Sequence, residues 1–160
     1  LFKNLEIVAW KCHQEGGMMC IEWPDGCDYW KRPEVVRLMR QYDLYGISFN
    51  GCAVGLKSSA GNPMFKKWRL TTNVPEIRDT FRNSQCTAKH DHHEHDRCSG
   101  DDCKRSEGYT DIMVNKIHKA WKLHVHHKRY QSAREKLLRK YGNPEEAAYL
   151  CCGCSMCPSA

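Results

Sequence analysis

The sequence predicts an α/β body over residues 1–108, a basic helical extension over 109–142 and a cysteine-rich tail over 143–160. Three observations carry that reading. Helix-period and strand-like apolar patterns alternate, with short connections, up to about residue 82, as in an α/β sheet. The stretch from Cys86 to Cys98 packs His90, His92, His93 and His95 between two cysteines. Residues 116–142 hold nine Lys or Arg against one acid, Glu135, so a chain of net charge +6 carries +8 there.

The elements follow in order. Leu1, Leu5, Val8, Ala9 and Cys12 recur at helical spacing and predict a helix over 1–15, stopped by Gly16-Gly17. The apolar run 18–21 predicts a buried strand ending in Glu22-Trp23-Pro24, with a turn at Asp25-Gly26. Pro33-Glu34 opens a helix over 33–42 whose buried face is Val35, Val36, Leu38, Met39 and Tyr42. A second strand is expected over 44–49. Residues 53–57 and 66–72 read as a hairpin around the loop 58–63, and Val74-Pro75-Glu76 opens a short helix to about Phe81. Residues 99–108 read as a loop. Thr110 can cap a final helix with Asp111 in its first turn, lined by Met113, Ile117, Ala120, Trp121 and His124, with a break expected near His126-His127.

Composition narrows the classes. No apolar run approaches the roughly 18 residues of a membrane span, so no membrane partner is expected. No signal-peptide pattern is present. Eleven cysteines at irregular spacing, accompanied by histidines, suit reduced, partly metal-bound thiols in an intracellular setting, nuclear or cytoplasmic, better than a disulfide scaffold. The chain starts Leu1-Phe2-Lys3, already inside an amphipathic pattern, so a fragment of a longer product is expected. Outside 116–142 the charge is about −2, so DNA or RNA would meet the basic helix, through Lys122, Lys128, Arg129, Arg134 and Arg139. The plain alternative is a solvated helix face.

The loop 86–98 is too polar to build a core, and imidazole and thiolate are the preferred ligands of zinc. Four such groups can close a tetrahedral structural site. Its histidines outnumber one site, so the residues alone leave open which of them bind. Cys27 and Cys52 are further candidates from the body, although buried free thiols are the commoner state. Cys151, Cys154 and Cys157 have metal-like spacing in a tail expected to be disordered.

Glu22 is the candidate for chemistry. It sits where a buried strand ends, and ligands of open α/β sheets bind outside the carboxyl ends of strands. A carboxylate there can hydrogen-bond a base edge or move a proton; a rim glutamate that caps a helix or pairs with a cation would look the same.

Helix 1–15, strand 18–21, Glu22-Trp23-Pro24, helix 33–42 and strand 44–49 together resemble the second half of a cytosine-5 DNA methyltransferase catalytic domain. The resemblance implies a partial Rossmann-like sheet and matches Glu22 to the glutamate that contacts the flipped cytosine. Trp23-Pro24 stands where that family has Asn-Val, and its Pro-Gln-x-Arg is missing after Asn50. A second resemblance is to a domain of retroelement-type polyproteins of marine eukaryotes. It rests on Ile21-Glu22-Trp23-Pro24, Gly26-Cys27-Asp28-Tyr29-Trp30, Asn50-Gly51-Cys52, Lys66-Lys67-Trp68, Thr72-Asn73, His93-Glu94-His95-Asp96-Arg97-Cys98-Ser99-Gly100 and Glu107-Gly108-Tyr109-Thr110. Asn50 stands where that pattern has Asp. This resemblance implies His93, His95 and Cys98 as zinc ligands with Cys86 as the fourth, His90 being the alternative. A glycine-rich cofactor loop and a Pro-Cys nucleophile are not in the chain. S-adenosylmethionine would therefore bind only a longer product that includes the missing N-terminal half. The expected function is the C-terminal part of a methyltransferase-like, nucleic-acid-associated domain of a mobile-element polyprotein, inactive as this fragment. The rivals are a non-catalytic zinc-binding interaction module and a decayed copy without function.

Overall fold

The computed structural model describes residues 2–86 and 95–142. In chain order the elements are α1 (Phe2–Gln14), β1 (Cys20–Pro24), a 3-10 turn (Asp28–Lys31), α2 (Pro33–Gln41), β2 (Tyr45–Asn50) and a second 3-10 turn (Gly51–Val54). Then come β3 (Met64–Phe65), β4 (Lys67–Thr72), α3 (Pro75–Arg82), β5 (Asp96–Arg97), α4 (Asp101–Arg105) and α5 (Asp111–Tyr141). The fold is mixed α/β with two small sheets. The chain divides into two units, Leu1–Trp121 and Lys122–Ala160.

The main sheet has the order β1-β4-β2, and β4 is antiparallel to both neighbours. β1 and β2 therefore run the same way, as in a β1-α2-β2 unit, but the reversed strand β4 lies between them. Register fixes the two faces, because successive side chains alternate. Ile21 lies on the face packed against Ala9, Leu38, Tyr42 and Leu44 of the α1–α2 side. Leu70, Ile47, Phe49 and Trp68 lie on the other face, packed with Ile77 and Phe81 of α3 and with Met113 and Ala120 of α5.

Several termini behave as the residue types dictate. Pro33 and Pro75 occupy the first turns of α2 and α3, where a missing N–H costs nothing. Thr110 Oγ1 accepts the Met113 N–H at 3.1 Å and donates to the Val54 carbonyl at 2.5 Å, so it caps α5 and ties it to the second 3-10 turn.

Four expectations need correction. Residues 53–57 are not a hairpin arm: the chain turns in 3-10 form and leaves through Gly55 at φ +84°, a left-handed conformation that glycine takes without strain. Residues 101–105 are helical, with Asp101-Asp102 in the first turn and Lys104-Arg105 in the last, matching the helix dipole. α5 runs unbroken through His126-His127, since neither Pro nor Gly interrupts it. Val8 is 64% exposed, because the buried side of α1 is set by Leu5, Ala9 and Cys12.

Candidate metal centre and the Glu22 rim

Three segments distant in sequence meet at one point. Cys52 lies on the 3-10 turn after β2. Cys86 follows α3 and is placed by Asn50, a buried residue whose Oδ1 accepts the Cys86 N–H at 3.0 Å. The Asn50 N–H in turn donates to the Ser84 carbonyl at 3.0 Å. His95 immediately precedes β5, which pairs in parallel with β3. Asp96 anchors that strand: its N–H donates to the Pro63 carbonyl at 3.0 Å, and its carboxylate accepts from Ser58 Oγ at 2.5 Å.

The result is a group of Cys52, Cys86 and His95 that can hold a metal ion, with one ligand atom from each all within 4.8 Å of one another. Cys86 Sγ and His95 Nε2 are 3.5 Å apart. Zinc bonds of about 2.3 Å to sulfur and about 2.0 Å to nitrogen, at a tetrahedral angle, put those two atoms about 3.5 Å apart. Cys86 and His95 thus stand at coordination spacing. Burial, and the Cys86 thiol beside it, push the Cys52 thiol up to about 11. A cation at the centre acts in the opposite direction and favours thiolate.

Of the residues expected as ligands, the structure brings together Cys86 and His95. His90 and His93 lie outside the described residues, as does the C-terminal cysteine cluster. Cys98 is not in the group of Cys52, Cys86 and His95; its Sγ is 3.5 Å from Cys103 Sγ and 3.3 Å from Ser106 Oγ. Cys52 is the ligand candidate that sequence reasoning set aside as a free thiol. Its only signal is the turn at Asn50-Gly51-Cys52, and its partner Cys86 is brought beside it by the fold.

Glu22 is half-buried on β1, opposite Leu70 in register and therefore on the α3–α5 face. Its Oε2 accepts a hydrogen bond from Tyr109 Oη at 3.0 Å. Its Oε1 is buried and has no hydrogen-bond partner among the described residues. Burial raises the Glu22 carboxyl above its ordinary value, opposed by the Tyr109 hydrogen bond and by the charge of Lys66. Burial and the adjacent carboxylate push Tyr109 up to about 12. Trp30 is on the face opposite Glu22: it packs on Trp23 at 4.7 Å between ring centroids. The cavity that Trp30 lines does not include Glu22.

Lys122, Lys128, Arg129, Arg134 and Arg139 are all exposed on α5. Trp121, expected on the lined face of the final helix, is 42% exposed, and Tyr130 is 38% exposed. Among the described residues no helix is long and apolar enough to cross a membrane. No family model, curated protein or solved structure matches the chain.

Proposed function

We propose that the chain is a zinc-stapled α/β interaction module that associates with nucleic acid. The observation that carries the proposal is the meeting of Cys52, Cys86 and His95 within 4.8 Å of one another, with Cys86 Sγ and His95 Nε2 3.5 Å apart. A zinc there ties the end of β2, the end of α3 and the start of β5 into one body. Zinc binding at such structural sites is worth on the order of 10 kcal/mol. Purified protein is expected to hold about one zinc per chain, and a strong chelator to lower its unfolding temperature. Protein that contains no zinc, or whose melting is indifferent to chelation, contradicts the staple. The exposed basic face of α5 is the nucleic-acid surface of this reading: its binding should weaken steeply with salt and ignore sequence. The seven free cysteines among the described residues support a reducing, intracellular setting, nuclear or cytoplasmic.

A second reading is favoured by Glu22. A half-buried carboxyl with raised proton affinity and one unpartnered oxygen suits proton transfer at a base. The reversed strand between β1 and β2 is compatible with the mixed end of a larger doubly wound, Rossmann-like sheet. In that reading the chain is the C-terminal part of a methyltransferase-like domain of a mobile-element polyprotein, and S-adenosylmethionine binds the missing N-terminal half. Glu22→Gln in the longer product should then cut methyl transfer by roughly 100-fold. Unchanged transfer leaves Glu22 a structural residue.

A further inference from the structure

The sheet face opposite Glu22 carries a feature that neither reading uses. Arg69 of β4 shares that face with Trp23, its partner in register. Its guanidinium lies over the Trp30 ring, 4.8 Å from the centroid. Trp30 is itself held, buried and donating from Nε1 to the Pro24 carbonyl at 2.9 Å. On the neighbouring strand the guanidinium meets Gly46, where a β-carbon would come within 2.8 Å of Arg69 Nε. The glycine leaves the space that the guanidinium fills. Arg69 is therefore a positioned cation; its charge reaches the Asp25 carboxylate, which already pairs with Lys67, and it forms no ion pair of its own among the described residues.

Arg69 opens on a cavity of about 420 Å³ that Arg40, Asp43 and the apolar side chains of Val36, Met39 and Leu44 also line. Arg40 has no ion pair among the described residues either. Two more concavities continue along α2. One shares Val36 and Arg40 with the first cavity, and the other shares Lys31, Pro33 and Arg37 with its neighbour. The track thus carries Lys31, Arg32, Arg37, Arg40 and Arg69 from end to end. Its acids are Asp28, Glu34 and Asp43. Asp28 and Glu34 already pair with Lys31 and Arg32, and Arg37 pairs with Glu6, in exposed bridges that a competing anion displaces at small cost.

We propose that this groove binds single-stranded nucleic acid. A backbone phosphate sits on the guanidinium groups of Arg69 and Arg40, which offer the planar, bidentate donors that phosphate accepts. The strand then passes Arg37 and Lys31. The apolar walls of the first cavity take the face of an unstacked base, which a single strand offers and a duplex does not. A free small anion needs only the first cavity; the cationic continuation along α2 matches a polymer. None of the residues of this groove belongs to the Cys52, Cys86 and His95 group or to α5.

The test uses the full chain and a fluorescent oligothymidylate of about twelve nucleotides, within the usual site size of single-strand binders. Anisotropy is followed against salt. Arg40→Gln with Arg69→Gln should weaken binding about tenfold and reduce the salt slope by between one and two. Gly46→Ala keeps every charge but displaces the Arg69 guanidinium, and should weaken binding about threefold. Because Arg69 packs on Trp30, Arg40→Glu alone, at an exposed position, gives a second variant whose folding is not at stake; it should also bind more weakly. Parent affinity and slope in the folded variants would overturn the groove. So would complete loss of binding on changing Lys128, Arg129, Arg134 and Arg139 to Gln, or thymidine monophosphate binding as tightly as the strand.

Discussion

Two thiol groups in the body have similar parts and opposite logic. Cys98, Cys103 and Ser106 lie within nine residues of sequence, and Lys66 comes to them from the link between β3 and β4. Lys66 Nζ donates to the Ser106 carbonyl at 3.0 Å and to its Oγ at 2.9 Å. That group has its cation built in. Cys52, Cys86 and His95 come from three separate segments, and the group could hold a metal ion. The contrast is between a cluster into which a lysine is hydrogen-bonded and a cluster of soft donors close enough to share a cation.

The largest way to break this contrast is Cys86→Ser. It removes the donor that Asn50 positions, and should lower the unfolding midpoint by about 10 °C or more with loss of bound zinc. A calorimetric scan of parent and variant, with and without chelator, checks it; the variant should no longer respond to chelator. Lys66→Met comes next. It strips the buried Ser106 of its charged donor and should cost about 1–2 kcal/mol in denaturant unfolding, while zinc content stays unchanged. Zinc loss in that variant would merge the two groups into one. Cys98→Ser should change stability by less than about 1 kcal/mol, because Ser106 keeps Lys66 and the Cys103 carbonyl as partners.

The smallest effect concerns Glu22. Its carboxyl holds its proton more tightly in the folded chain than in the unfolded one, because burial disfavours the charge. Its contribution is therefore most favourable below the ordinary carboxylate range. It declines as pH rises from that range to the raised value. Glu22→Gln should flatten this segment of the stability–pH curve, and Tyr109→Phe, which removes the hydrogen bond to the charged form, should steepen it. Superimposable curves for parent and both variants would show that Glu22 titrates as an exposed group.

Local signals were legible where residue type alone decides conformation. Pro33 and Pro75 open helices, Thr110 caps one, and the apolar spacing of α2 and α3 shows their buried faces. The strand 44–49 is found one residue along, as β2. Signals failed where two local readings compete. Residues 53–57 look extended, yet the 3-10 turn and Gly55 bend the chain. The apolar run at residue 18 looks like a strand start, but β1 begins at Cys20 and continues to Pro24 because its partner β4 reaches that far. For the centre, Cys86 and His95 stood out by density of donors. Cys52 did not, because nothing near it in sequence is a ligand. Cys98 looked equivalent to His95, but in the fold its sulfur neighbours Cys103 and Ser106. The inserted position of β4 was not legible, since strand order depends on contacts between distant segments.

The central proposal is that Cys52, rather than Cys98, is a ligand of the centre with Cys86 and His95. Zinc per chain, measured by elemental analysis on matched preparations of Cys52→Ser and Cys98→Ser, tests it directly. The structure predicts about one zinc in the parent and in Cys98→Ser, and close to none in Cys52→Ser. Zinc retained by Cys52→Ser and lost from Cys98→Ser would contradict the account.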